Sequence, residues 1–218
     1  MRLFSKLSAL GAVLVLTTAF ASADTIQLGS YGQNANGITV TGNANSALQI
    51  SGGSTYNIGD GGVWHAAIGS ASNLSSWVSQ DPGNCPGCGN VEPNSIYTYT
   101  TTFTLANSLY AGSIWVMADD TTDVYLNGTL VQDVAPGANS TCQTLQPNCT
   151  VPLLVTLPYG DFNAGVNTLT FDVHQTNLSA EGLNFSGSIS SVPEPSSLIL
   201  LGTGLLGSAG ALMRKMRS

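Results

Sequence analysis

The stretch IYTYTTTFTL, residues 96–105, alternates ring or aliphatic side chains with threonine. Tyr97, Tyr99, Thr101, Phe103 and Leu105 share one face at a period of two, while threonine fills most of the other. The period excludes a helix and predicts a β-strand with one buried and one solvated face. Working outward, SIWVMA (113–118), TDVYLN (122–127), TLVQD (129–133), VPLLVTL (151–157), VNTLTFDVH (166–174) and LNFSGSIS (183–190) read the same way. In VNTLTFDVH, Leu169, Phe171 and Val173 point inward, and Thr170, Asp172 and His174 point out. Asn127-Gly128, between two such runs, predicts a type I′ hairpin, whose central residues both need positive φ.

Between Asp24 and Ser191 no amphipathic helix is legible, and strands are also expected near TIQLG, GITVTG, ALQIS and VWHAAI. Many short strands joined by turn residues predict an all-β domain, an antiparallel β-sandwich over residues 24–191. Two long loops are expected, at 80–94 and 134–150. They carry Cys85, Cys88, Cys142 and Cys149. Pairing of Cys85 with Cys88 and of Cys142 with Cys149 is preferred among the three connectivities, because each pair brackets a Pro- or Gly-bearing turn. A redox CxxC or a four-thiolate zinc site is the alternative.

The two ends differ from this interior. MRLFSKLSALGAVLVLTTAFASA, residues 1–23, places Arg2 and Lys6 before an apolar run and closes on Ala21-Ser22-Ala23. That order is a secretory signal peptide, with cleavage expected after Ala23. Export to an oxidising compartment also favours disulfides over free thiols. The C-terminus reads VPEPSSLILLGTGLLGSAGALMRKMRS, residues 192–218. Leu198–Met213 would span about 24 Å as a helix, a little less than a bilayer core of about 30 Å. Arg214, Lys215 and Arg217 would hold the end on the cytoplasmic side, leaving the sandwich outside. Gly202, Gly204 and Gly207 formally match the dinucleotide fingerprint G-x-G-x-x-G, but no strand–helix–strand unit surrounds them.

All five Lys and Arg residues lie in these terminal segments, and all 12 Asp and Glu residues lie between Asp24 and Pro195. An exported domain without a fixed cation cannot neutralise phosphates, so nucleic acid is excluded as a partner. It also lacks a side chain to clamp an anionic substrate. Neutral hydroxyl-rich ligands and divalent cations remain compatible.

Pro193-Glu194-Pro195, an apolar helix and a terminal basic cluster together resemble the PEP-CTERM sorting signal of Gram-negative bacteria that make extracellular polysaccharide. The resemblance implies processing by an exosortase at Pro193, Glu194 and Pro195, after transient anchoring in the inner membrane. ADDTTDVYLNGTLV (118–131) with GVNTLTFDV (165–173) is similar to the central strands of galactose-binding-like jelly rolls, a likeness that implies fold and says little of ligand.

Asp119, Asp120 and Asp123 are grouped oxygens of the kind calcium takes, although Asp also serves turns by bonding nearby backbone. Trp64 is the tryptophan expected at the surface, where it could stack on a sugar; Trp115 and Trp77 are expected in the core. No nucleophile elbow, zinc motif or carboxylate pair in catalytic context occurs, so the expectation is a non-enzymatic protein. Two functional readings follow. One is a structural or carbohydrate-contacting component of the cell surface or exopolysaccharide matrix; the other is a dedicated calcium-dependent carbohydrate-binding module. A secreted hydrolase is third.

Overall fold

The computed structural model describes residues 24–30, 44–50, 53–59, 62, 64–68, 75–84, 89, 91–134, 142, 145–176, 178–192 and 195–216. In chain order the strands are β1 (Thr25–Gly29), β2 (Ala44–Ile50), β3 (Gly53–Ile58), β4 (Trp77–Ser79), β5 (Ser95–Leu105), β6 (Tyr110–Asp119), β7 (Thr121–Leu126), β8 (Thr129–Gln132), β9 (Leu153–Leu157), β10 (Gly165–Gln175) and β11 (Gly182–Ser191). One helix, α1, follows at Pro195–Met216.

Hydrogen bonding runs along the path β8-β7-β10-β5-β2-β3-β4-β11-β6-β9, with β1 added to β11. The longest register is β10 on β5, antiparallel from Gly165 opposite Leu105 to Gln175 opposite Ser95. It sets Phe171 against Tyr99 and Val173 against Tyr97, so the inward residues of the two strands stack on one face.

The layers are defined by what their inner faces bury. Tyr99, Val124, Leu126, Leu169, Phe171 and Val173 come from β5, β7 and β10. They share one core with Leu28, Ile114, Val116, Val155, Leu157, Leu183, Phe185 and Ile189 from β1, β6, β9 and β11. The Phe171 and Phe185 ring centroids lie 4.6 Å apart across it. This is the expected antiparallel sandwich, and each such fully buried aliphatic or ring contributes on the order of 1.5–3 kcal/mol of transfer free energy.

The hairpin between β7 and β8 is built as its dipeptide predicts: Asn127 has φ 52° and Gly128 φ 83°. Asn127 also fastens its surroundings, donating from Nδ2 to the Asp161 carbonyl at 2.8 Å and to Asn167 Oδ1 at 2.7 Å. Its Oδ1 accepts from the Thr168 N–H at 2.9 Å.

Where β6 meets β11, two glycines permit the approach. A Cβ on Gly112 would lie 2.2 Å from the Ser188 carbonyl oxygen, and one on Gly187 would lie 2.2 Å from that of Ser113. The contact is reciprocal and made by backbone.

The N-terminal half departs from the sequence reading. Residues 64–68 of VWHAAI form no strand: Trp64 is buried, its ring stacked on Trp77 at 4.3 Å, and the His65 N–H donates to the Cys149 carbonyl at 2.8 Å. Trp64 and Trp77 form a second small core with Ile58, Met117, Cys142, Cys149 and Ala180. Strands β3 and β4 lie outside the expected set, because GSTYNI opens on small polar residues and WVS has only three residues. GITVTG lies outside the described residues. Trp115, expected in the core, is 45% exposed. Its neighbours Ile114 and Val116 take the inward positions, so alternation turns the indole out.

Cys142 and Cys149 are bonded to one another, seven positions apart, while Cys85 and Cys88 lie outside the described residues. Opening the bridge frees a loop of about eight residues, which by the chain-entropy relation costs about 2.5 kcal/mol. We expect Cys142→Ser/Cys149→Ser to lower stability by about that amount in urea unfolding, and an unchanged midpoint would refute that expectation.

The helix α1 starts at Pro195, a residue whose fixed φ suits the first helical turn, and Gly202, Gly204 and Gly207 lie inside it. It runs beyond the expected 198–213 at both ends. Among the described residues no helix is long and apolar enough to cross a membrane.

Candidate functional site

The residues singled out in the sequence do not converge on one centre. Asp119, at the end of β6, is buried and its Oδ2 accepts the Trp64 indole N–H at 2.6 Å. Asp120 is also buried, its Oδ2 accepting the Thr176 N–H at 2.8 Å and the Thr176 hydroxyl at 2.6 Å. Asp123, on β7, faces the other way: its Oδ2 meets His174 Nε2 at 2.9 Å and its Oδ1 accepts the Val134 N–H at 2.7 Å. Asp172 stands opposite Asp123 in the register and accepts the Thr98 hydroxyl at 2.7 Å. Among the described residues no three His, Cys, Asp or Glu side chains gather as a ligand set for a metal. The three aspartates lie on two different strands or between them, and each is bonded to a different partner: Asp119 to Trp64, Asp120 to Thr176 and Asp123 to His174.

Trp64 is therefore a buried anchor, 4% exposed, and not a surface ring for a sugar. Its indole fixes Asp119. A Cβ on Gly182 would sit 2.5 Å from Trp64 Cη2, so that glycine makes room for the ring.

Beside this pair lies Glu181, fully buried, which no sequence motif indicated. Tyr99 donates its hydroxyl to Oε1, and Ser79 donates to Oε2 at 3.0 Å. Asn84 Nδ2 donates to Ser79 Oγ and to the Glu181 carbonyl, both at 2.8 Å. Burial pushes the Glu181 carboxyl up from 4.5 to about 8; the Tyr99 and Ser79 hydroxyls oppose this, and Glu92 adds to it. Burial likewise lifts Asp119 from 3.8 to about 8, opposed by the Trp64 N–H and reinforced by Asp120 and Glu181. No Lys or Arg lies between Asp24 and Pro195 to offset either charge, so burial favours the protonated form of both carboxyls. The only sequence hint is SAEG, a lone acid ahead of the apolar start of a strand.

On the outer side of β6 and β9 the surface has a different character. Trp115 pairs with Leu154, which is 46% exposed, and Ser113 pairs with Thr156. No charged residue occurs in β1, β9 or β11, and β6 carries only the buried Asp119 at its end.

The sorting segment supplies the remaining candidates. Pro195, Arg214 and Lys215 belong to α1. Ala21, Ala23, Pro193, Glu194 and Arg217 lie outside the described residues.

Comparison with known proteins identifies one of these regions. Residues 191–215 match the PEP-CTERM protein-sorting motif. No curated protein matches the chain. Among solved structures, the CBM35 of Paenibacillus barcinonensis is 11% identical, covering 77% of this chain and 99% of its own at a TM-score of 0.37. The CBM36-1 domain of a multidomain xylanase from the hindgut metagenome of Trinervitermes trinervoides is 10% identical, covering 78% and 99% at 0.37. The Stig cyclase Fisc from Fischerella sp. TAU is 10% identical, covering 79% and 100% at 0.39.

Proposed function

We propose that this chain is an exported, exosortase-processed protein of the cell surface or extracellular matrix, whose sandwich is a structural or carbohydrate-contacting component without catalytic activity. The observation that carries the reading is the PEP-CTERM motif at residues 191–215. Three further features support it: the cationic, apolar, small-residue order of residues 1–23; the disulfide between Cys142 and Cys149; and the confinement of every Lys and Arg to the two ends. On this reading signal peptidase cuts after Ala23. The segment containing α1 then holds the protein in the inner membrane with Arg214, Lys215 and Arg217 on the cytoplasmic side, until an exosortase acts at Pro193-Glu194-Pro195. The durable product is the anionic sandwich.

Calcium-dependent binding through Asp119, Asp120 and Asp123 is not favoured, since Asp119 is committed to Trp64 and Asp123 to His174.

Intact mass of the protein recovered from its host tests the proposal. We expect a chain that begins at Asp24 and lacks α1, and a longer chain retaining α1 in a strain without the processing enzyme or in a Glu194→Ala variant. Recovery of the full-length chain from the cytoplasm with residues 1–23 attached and thiols reduced would refute it.

A further inference from the structure

The layer containing β1, β11, β6 and β9 turns an uncharged face outward. Ile26, Leu28, Ile114, Val116, Val155, Leu157, Phe185 and Ile189 lie in or against the core, and of the alternate positions on the same strands Gln27, Ser113, Trp115, Leu154, Thr156 and Ser188 reach the surface while Met117, Asn184 and Ser186 are buried. The registers align these positions into rows. Thr156 stands opposite Ser113. The reciprocal contact of Gly112 with Ile189 and of Gly187 with Ile114 puts Ser113 beside Ser188. Ser188 in turn pairs with Gln27. One row is thus Thr156, Ser113, Ser188 and Gln27, four hydrogen-bonding side chains from four successive strands. In the next row Leu154 faces Trp115, and on the β1 side Ser186 pairs with Gly29. An exposed indole therefore stands opposite Leu154, beside a line of hydroxyls and an amide.

We propose that this face binds a neutral polysaccharide, with the apolar side of a sugar ring on Trp115 and its hydroxyl groups along the Thr156–Gln27 row. The inference deepens the carbohydrate-contacting part of the proposed function and rests on that reading. Charge selects the occupant. A domain with 11 acids between Asp24 and Ser191 and no fixed cation repels acidic polymers, and the outward positions of these strands carry no exposed charged side chain. An uncharged ligand that presents a C–H face to a ring and hydroxyls to neighbouring polar groups satisfies every group on the surface. An exposed tryptophan loses little side-chain freedom when stacked, which makes it an efficient anchor.

The test is affinity electrophoresis of the full chain in gels containing hydroxyethylcellulose, galactomannan or arabinoxylan, with polygalacturonate as the acidic control. We expect retardation by at least one neutral polymer and none by polygalacturonate. Trp115→Ala should weaken it tenfold or more, while Trp115→Phe retains most of it. Both variants should melt with the parent chain, because the ring is at the surface. Absence of retardation in all three neutral gels overturns the proposal, as does equal retardation of Trp115→Ala. So does a concentration-dependent dimer in sedimentation that Trp115→Ala abolishes, since a second copy would then be the occupant. None of these results touches export or processing, which the intact-mass experiment decides separately.

Discussion

Replacing Gly187 with alanine is expected to destabilise the sandwich by about 3 kcal/mol or more, enough to leave little folded protein if its total stability is ordinary. The added Cβ would lie 2.2 Å from the Ser113 carbonyl oxygen and 2.6 Å from Ile114 Cα. Both obstacles are backbone, so no rotamer change relieves the clash, and β6 and β11 must separate where they contribute Ile114, Phe185 and Ile189 to the core. Gly112→Ala should behave alike, with Ser188 O at 2.2 Å and Ile189 Cα at 2.7 Å. Gly53→Ala is the control: its nearest neighbour would be Ile50 Cγ2 at 3.6 Å, an ordinary contact, and an exposed strand glycine replaced without strain changes stability by less than about 1 kcal/mol. Urea unfolding of the three variants reads the difference. Equal midpoints for Gly187→Ala and Gly53→Ala would show that the two strands are free to move apart.

The second large effect is on pH. Glu181 and Asp119 ionise near 4.5 and 3.8 when unconstrained and near 8 when folded. As pH rises through the lower values the unfolded chain releases these protons while the folded chain keeps them. Stability therefore falls with rising pH, from about pH 4 until the folded carboxyls themselves ionise near pH 8, and changes little above that. The sign is opposite to that of carboxylates held by cations, whose stabilisation is lost in acid. Moving the ionisation of one carboxyl by one pH unit on folding corresponds to about 1.4 kcal/mol, so the two groups together weigh on the order of the whole stability of a domain. We expect the melting temperature to drop by on the order of ten degrees or more between pH 5 and pH 8. Glu181→Gln, a neutral side chain of the same shape, should remove a large part of that slope and melt above the parent at pH 8. A melting temperature that is flat or rising over this range, or an unchanged slope in Glu181→Gln, would mean that these carboxyls are already ionised in the folded state.

Both expectations concern residues that nothing local marks out. Gly187 in LNFSGSIS and Gly112 in YAGSIW read as ordinary interruptions of a strand, and their meaning lies in facing one another across β6 and β11. Glu181 carries no motif, and its chemistry comes from Tyr99 and Ser79, 82 and 102 positions away. The two tryptophans mislead for a related reason. Apolar neighbours suggest that Trp115 is core and an adjacent histidine suggests that Trp64 is surface, but the parity of β6 and the seating of Trp64 on Trp77 decide otherwise.

What the sequence determined alone is whatever depends on near neighbours along the chain. Alternation in residues 96–105 and 166–174 specifies strands with one dry face, Asn127-Gly128 specifies a turn with positive φ, and the prolines, apolar residues and cations of residues 191–215 match a protein-sorting motif. What only the tertiary structure decided is which faces meet and which groups lose water. Trp64, Asp119, Glu181 and the two glycines owe their roles to strands distant in sequence. Burial and close approach are properties of the assembled sheets, and no period of two or spacing of motifs encodes them.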